Sequence, residues 1–221
     1  MELNKTIEQK LNENRSYRNT QKFEIRVDQD APDRKIVRGY ATTFNEPYEL
    51  FQYDNWEGYR VHIVEQVDPE AFKECDMSDV IMQYNHEGRV FARTSNQTLS
   101  LRVDAHGLLT EADLGGTEIG RDLYEEIEGG YTNRMSFGFT VSKDSRTEDR
   151  DDENKVITIT RTITCISKLW DVSAVSIPAN DGTEISARSY CDGVIAELTE
   201  EFRKAEATRK QKQKIRILTE V

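Results

Sequence analysis

A serine and a histidine, each at the end of its own strand-like run, are the residues of this chain best suited to bond-breaking chemistry. Ser136 heads the run Ser136-Phe137-Gly138-Phe139-Thr140-Val141, in which Phe137, Phe139 and Val141 alternate with Gly138 and Thr140. A period of two marks a half-buried strand. The serine falls where a turn gives way to that strand, so its hydroxyl can reach an open edge of a sheet. His86 closes a second apolar run, Val80-Ile81-Met82-Gln83-Tyr84-Asn85-His86. A serine hydroxyl is a weak nucleophile until a base takes its proton. An imidazole titrating near neutrality can take that proton and return it to a leaving group. The same residues also have readings without chemistry, as a small residue at a strand start and a hydrogen-bonded turn histidine. The two other histidines are weaker candidates. His62 lies inside a strand on the side opposite Val61 and Ile63, and His106 sits in the tight turn Asp104-Ala105-His106-Gly107.

The rest of the composition narrows the chemistry. With 30 Lys plus Arg against 41 Asp plus Glu, the chain of 221 residues carries a formal charge of −11. That argues against specific nucleic-acid binding as the main role, because phosphate contacts need clustered basic residues. No apolar run reaches the ~18 residues of a membrane span, and no signal-peptide core opens the chain. Cys75, Cys165 and Cys191 are odd in number and widely spaced, which points to reduced thiols rather than a disulfide framework. Neither the cysteines nor the three histidines have metal-ligand spacing, and no phosphate-binding or dinucleotide-binding glycine loop is present. No cofactor and no metal are expected.

The elements that must carry Ser136 and His86 are mostly strands. Residues 1–20 are polar, with Leu3, Ile7 and Leu11 as a narrow stripe, and read as a disordered or weakly helical leader. Strands are expected over 23–27 and 35–44 as a hairpin, then over 60–66, 80–84, 89–93, 99–103 and 108–114. Residues 46–59 read as an aromatic loop that packs over a sheet edge or faces a substrate. A helix start is expected at Asp68-Pro69. A second helix spans 117–128, where Ile119, Leu123 and Ile127 form one stripe, and Gly129-Gly130 ends it. After the serine strand, 144–153 holds six acidic residues and two arginines, the signature of a solvated hairpin tip. Strands over 155–166 and 169–177 follow. Residues 202–216 carry seven basic residues and one acidic residue on a sparse apolar stripe. The fold class is mainly β with short helices, arranged as a barrel. Three segments result: a leader over 1–20, one domain over 21–190 and a basic helical tail over 191–221.

Five stretches, in order, resemble the prohead (capsid maturation) protease family of tailed bacteriophages. They are Arg38-Gly39-Tyr40-Ala41-Thr42-Thr43-Phe44, then Asn85-His86, then residues 98–108, then Met135-Ser136-Phe137-Gly138-Phe139, then Leu169-Trp170-Asp171-Val172-Ser173 and on to Pro178. The likeness covers about residues 23–190. It departs at Glu87, where relatives often carry Asp, at Asp171, where they often carry Glu, and at Gly115-Gly116. The resemblance implies a serine endopeptidase with an assemblin-like β-barrel surrounded by helices, related in fold to the herpesvirus assemblins. It implies a place in the host cytoplasm, inside the immature capsid. There the enzyme would digest the scaffold protein, or the scaffold domain of the major capsid protein, and process itself, with self-association possible and no membrane involved. Ser136 would be the nucleophile and His86 the base. The assemblins orient that base with a second histidine, but no histidine follows Ser136 here, so an acidic residue or none must serve. Asp171 is the first candidate, because a carboxylate inside an apolar strand needs a partner. That partner is His86 or an arginine such as Arg134 or Arg161. Glu111 is the rival for the third position. The alternative for the whole chain is a non-catalytic β module that binds capsid or scaffold.

Overall fold

The computed structural model describes residues 34–176, the backbone of 16–22 and 24–25, and residues 194, 195, 199, 200 and 204. The alternating runs form strands β1 (Ser16–Lys22), β2 (Glu24–Ile25), β3 (Ile36–Thr43), β4 (Tyr48–Asp54), β5 (Arg60–Val67), β6 (Ile81–Tyr84), β7 (Glu87–Arg93), β8 (Leu99–Val103), β9 (Gly107–Asp113), β10 (Arg134–Asp151) and β11 (Val156–Val175). One α-helix, α1 (Glu118–Glu128), lies between β9 and β10. The fold is mainly β, as expected, and no closed barrel is found among the described residues.

Two sheets share the strands. The larger runs β1-β10-β11-β5-β4, with β6 paired to β11 and β7 to β6; the smaller runs β2-β3-β9-β8. β11 is the axis of the larger sheet. One edge pairs antiparallel with β10 along its length. The other edge takes β5 in parallel from Val156 to Ile163, then β6 in parallel from Asp171 to Ala174. Between the sheets lies the main core, which joins Val37, Leu99 and Leu108 of the smaller sheet to Met82, Met135, Phe137, Phe139 and Val172 of the larger and to Leu123, Tyr124 and Ile127 of α1. The rings of Phe137 and Phe139 stack with centroids 4.3 Å apart, as residues two apart on one strand face can. A second cluster of Tyr59, Val61, Ile63, Ile157 and Ile159 is covered by Val194, at the start of the expected tail. Of the basic stretch 202–216, all but Lys204 lies outside the described residues.

Several expectations are revised. Within the expected leader, residues 16–20 belong to strand β1, which pairs antiparallel with β10; residues 1–15 lie outside the described residues. The aromatic loop contains β4, an edge strand registered on β5 from Tyr48 to Asp54. The acidic hairpin tip is largely strand, because β10 runs to Asp151 along β11 and its charged residues face water. The expected strands over 155–166 and 169–177 are one continuous strand, β11. The segment after Asp68 makes tight turns instead of an α-helix: Asp68 O accepts from Ala71 N–H at 3.0 Å and Glu70 O from Lys73 N–H at 3.0 Å. The helix over 117–128 forms, capped by the Thr117 hydroxyl, which accepts from Gly120 N–H at 3.1 Å. Its buried stripe includes Gly120 and Tyr124 with Leu123 and Ile127. Position 120 admits no side chain, since a Cβ there would lie 2.3 Å from the Leu114 carbonyl oxygen.

Candidate active site

The period of two on β10 turns Met135, Phe137 and Phe139 into the core and leaves Ser136 and Gly138 on the opposite face. The β10–β11 register sets Ser136 opposite Ser173 and Gly138 opposite Asp171. Val172 and Ala174 join the core, so Asp171 and Ser173 share the face of Ser136. β6 lies on the far side of β11, with Ile81 opposite Asp171 and Gln83 opposite Ser173. Three adjacent strands thus form the floor of the site.

His86 reaches this floor from a hairpin. Tyr84 of β6 pairs with Glu87 of β7, leaving Asn85 and His86 as a two-residue turn with φ of 51° and 60°. Two left-handed residues in succession make the tight turn whose twist matches that of paired strands. The turn is tied to the end of β11. Asn85 N–H donates to Ala174 O at 2.9 Å, and Ser176 N–H donates to Asn85 Oδ1 at 3.1 Å. His86 N–H donates to Ser173 Oγ at 3.2 Å. The imidazole is thereby folded back over β11.

Its two nitrogens meet two residues named from sequence. Nε2 lies 2.5 Å from Ser136 Oγ, and Nδ1 bonds Asp171 Oδ1. An ionised carboxylate only accepts, so Nδ1 carries the ring proton and Nε2 is left to accept the Ser136 hydroxyl. That is the tautomer in which an imidazole can act as a base toward serine. Ser173 Oγ donates to the same oxygen, Asp171 Oδ1, at 3.0 Å and helps to fix the carboxylate. Asp171 and Ser173 are buried, and the His86 side chain is 15% exposed. Ser136 itself is only 1% exposed.

The other candidates lie elsewhere. Glu111, on β9 of the smaller sheet, is ion-paired to Arg38. Arg161 bonds the buried Glu65 at 2.9 Å and Asp144 at 2.5 Å. His62 pairs with Glu49 at 2.6 Å, and His106 packs edge-on against Tyr40. Sequence reasoning assigned no role to Ser173. The signal was present in its spacing of two from Asp171, which places both residues on one face of a strand.

A hydroxyl hydrogen-bonded to an imidazole whose other nitrogen is held by a buried carboxylate is the arrangement of a serine hydrolase. The chain belongs to the caudovirus prohead serine protease family, whose sequence model matches residues 21–194. No curated protein and no solved structure matches it.

Proposed function

We propose that the protein is a serine endopeptidase of phage capsid maturation in which Ser136 is the nucleophile, His86 the general base and acid, and Asp171 the residue that orients His86. The observation that carries this reading is the contact of Nε2 with Ser136 Oγ while Nδ1 is held by Asp171. In the reaction, Ser136 Oγ attacks the scissile carbonyl carbon as Nε2 takes its proton. The imidazolium, stabilised by Asp171, then protonates the departing amine. A water attacks the acyl-serine by the same proton transfers in reverse order, releasing the new carboxylate and restoring the hydroxyl.

The substrates proposed are the scaffold protein or scaffold domain of the major capsid protein, and the protease itself, cleaved within the immature capsid. Family membership supports the maturation role. We also read the two sheets as parts of the barrel that kinship with the herpesvirus assemblins implies. The pairing of Phe44, just past β3, with Val67 at the end of β5 supports that reading. Residues 21–190 would form the protease domain.

Co-expression with the neighbouring capsid and scaffold proteins, followed by mass spectrometry of the fragments, tests the reading. Processing should occur with the native chain and cease with Ser136→Ala or His86→Ala, each variant keeping its far-UV circular dichroism. Undiminished processing by either variant would remove that residue from the mechanism. A folded native chain that neither processes these partners nor reacts with a fluorophosphonate would instead be a non-catalytic capsid- or scaffold-binding module.

A further inference from the structure

β1 lies along the outer edge of the nucleophile's strand. Its antiparallel register sets Ser16 opposite Phe139, Tyr17 opposite Gly138, Arg18 opposite Phe137 and Asn19 opposite Ser136. The ladder breaks just past the serine, and the next matched pair is Lys22 with Arg134. A peptide bound by strand addition has this form, with main-chain bonds along an open sheet edge. Directly opposed residues in an antiparallel pair have Cα atoms about 4.5–5.5 Å apart. The backbone around Asn19 is therefore brought beside Ser136.

Two further observations bear on β1. Ser136 is aligned with His86 yet only 1% exposed, so a substrate carbonyl cannot reach its hydroxyl until a neighbour moves. The family match begins at residue 21, so most of β1 precedes the matched residues while lying on the catalytic strand. The sequence of β1, Ser-Tyr-Arg-Asn-Thr-Gln-Lys, has no aliphatic residue. Its backbone ladder on β10 is one that a competing extended peptide can reproduce residue for residue.

We propose that the edge of β10 from Ser136 to Phe139 is the substrate-binding edge, and that β1 occupies it as an internal ligand that substrate displaces. The inference rests on the protease reading above. The substrate class is an extended peptide segment, free of proline where it pairs with β10, whose scissile bond lies at or next to the residue opposite Ser136.

The test compares fluorophosphonate labelling rates, with Ser136→Ala as blank. A chain beginning at Phe23 should label at least tenfold faster than the full chain. A synthetic peptide of residues 14–22 should slow the shortened chain again, in competition with the label. Because the shortened chain can fail to fold, a second arm uses the full chain with Lys22→Cys and Arg134→Cys, a register pair within the Cα separation a disulfide spans. Oxidation should lock β1 down and slow labelling at least tenfold, and reduction should restore it. Chains carrying only one of the two substitutions, which keep Cys75, Cys165 and Cys191, should not respond. Equal rates for the oxidised and reduced lock, or for a folded shortened chain and the full chain, would overturn this inference and leave the protease reading standing. Absence of labelling in every form would overturn both.

Discussion

Ser136, His86 and Asp171 form one chain of hydrogen bonds, and its direction is set by what each partner can donate. Asp171→Asn places an amide where Nδ1 needs an acceptor and can turn the imidazole to the wrong tautomer. The expected outcome is a folded protein whose kcat falls by roughly 10³–10⁴-fold, with KM much less affected. Steady-state kinetics on a scaffold-derived peptide would check this, and a loss of folding instead would make Asp171 a structural residue. Ser173 acts one step further out. Its hydroxyl accepts from the His86 backbone and donates to Asp171. A hydrogen bond lost from a buried group costs about 1–3 kcal/mol, so Ser173→Ala should lower kcat on the order of 10–100-fold. Ser173→Thr keeps the hydroxyl and should recover most of the rate. A purely structural role would instead move the thermal midpoint in both variants and leave kcat of the folded protein unchanged.

The hairpin β6–β7 is the element on which the placement of His86, the proposed base, depends, because both turn residues have positive φ. Asparagine tolerates that conformation better than other side chains with a Cβ. Asn85→Ala should therefore cost about 1–2 kcal/mol in urea unfolding, and it should slow cleavage because the turn that carries His86 is loosened. Local pattern revealed much of this framework. Alternation located β3, β5, β8 and β9, and the Thr117 cap with the paired glycines bounded α1. β1 and β4 were hidden because edge strands are made by their partners, through a ladder that has no local signature. β11 appeared as two strands because its burial pattern loses its alternation around Ser167. At the site, Ser136 and His86 stood out at the ends of their runs. Which of Asp171 and Glu111 lies against His86 could not be read locally. It depends on β6 lying parallel to β11 and on Glu111 belonging to the other sheet, and both are long-range pairings.

At the scale of the whole molecule, two electrostatic effects oppose each other as pH falls. The chain carries a net charge of −11, so it repels itself at neutral pH. Protonation toward the isoelectric point, about 4.9, relieves that repulsion. Against this, several carboxylates are held below their ordinary range by partners that favour the ionised form. Asp104 accepts from the His106 N–H and the Tyr40 hydroxyl; Asp152 accepts from the Tyr59 hydroxyl and Arg150; Asp79 is bonded by Arg93; Asp151 by the Asn154 amide; and Asp76 by the Ser78 hydroxyl and N–H and by Lys168. A carboxylate whose folded pKa is depressed binds its proton more readily in the unfolded chain. Its contribution is present above the unfolded value of about 4 and is lost as pH falls through the folded value. The thermal midpoint should therefore rise modestly from pH 8 to about 5 and then fall below about pH 4 as these groups protonate. Salt separates the two effects, because it screens the diffuse repulsion. At pH 7, 0.5 M NaCl should raise the midpoint, and near pH 5 the same salt should leave it unchanged or lower it. A midpoint that falls steadily from pH 8 to 5, or does not respond to salt at pH 7, would show that self-repulsion is not a significant term in this fold.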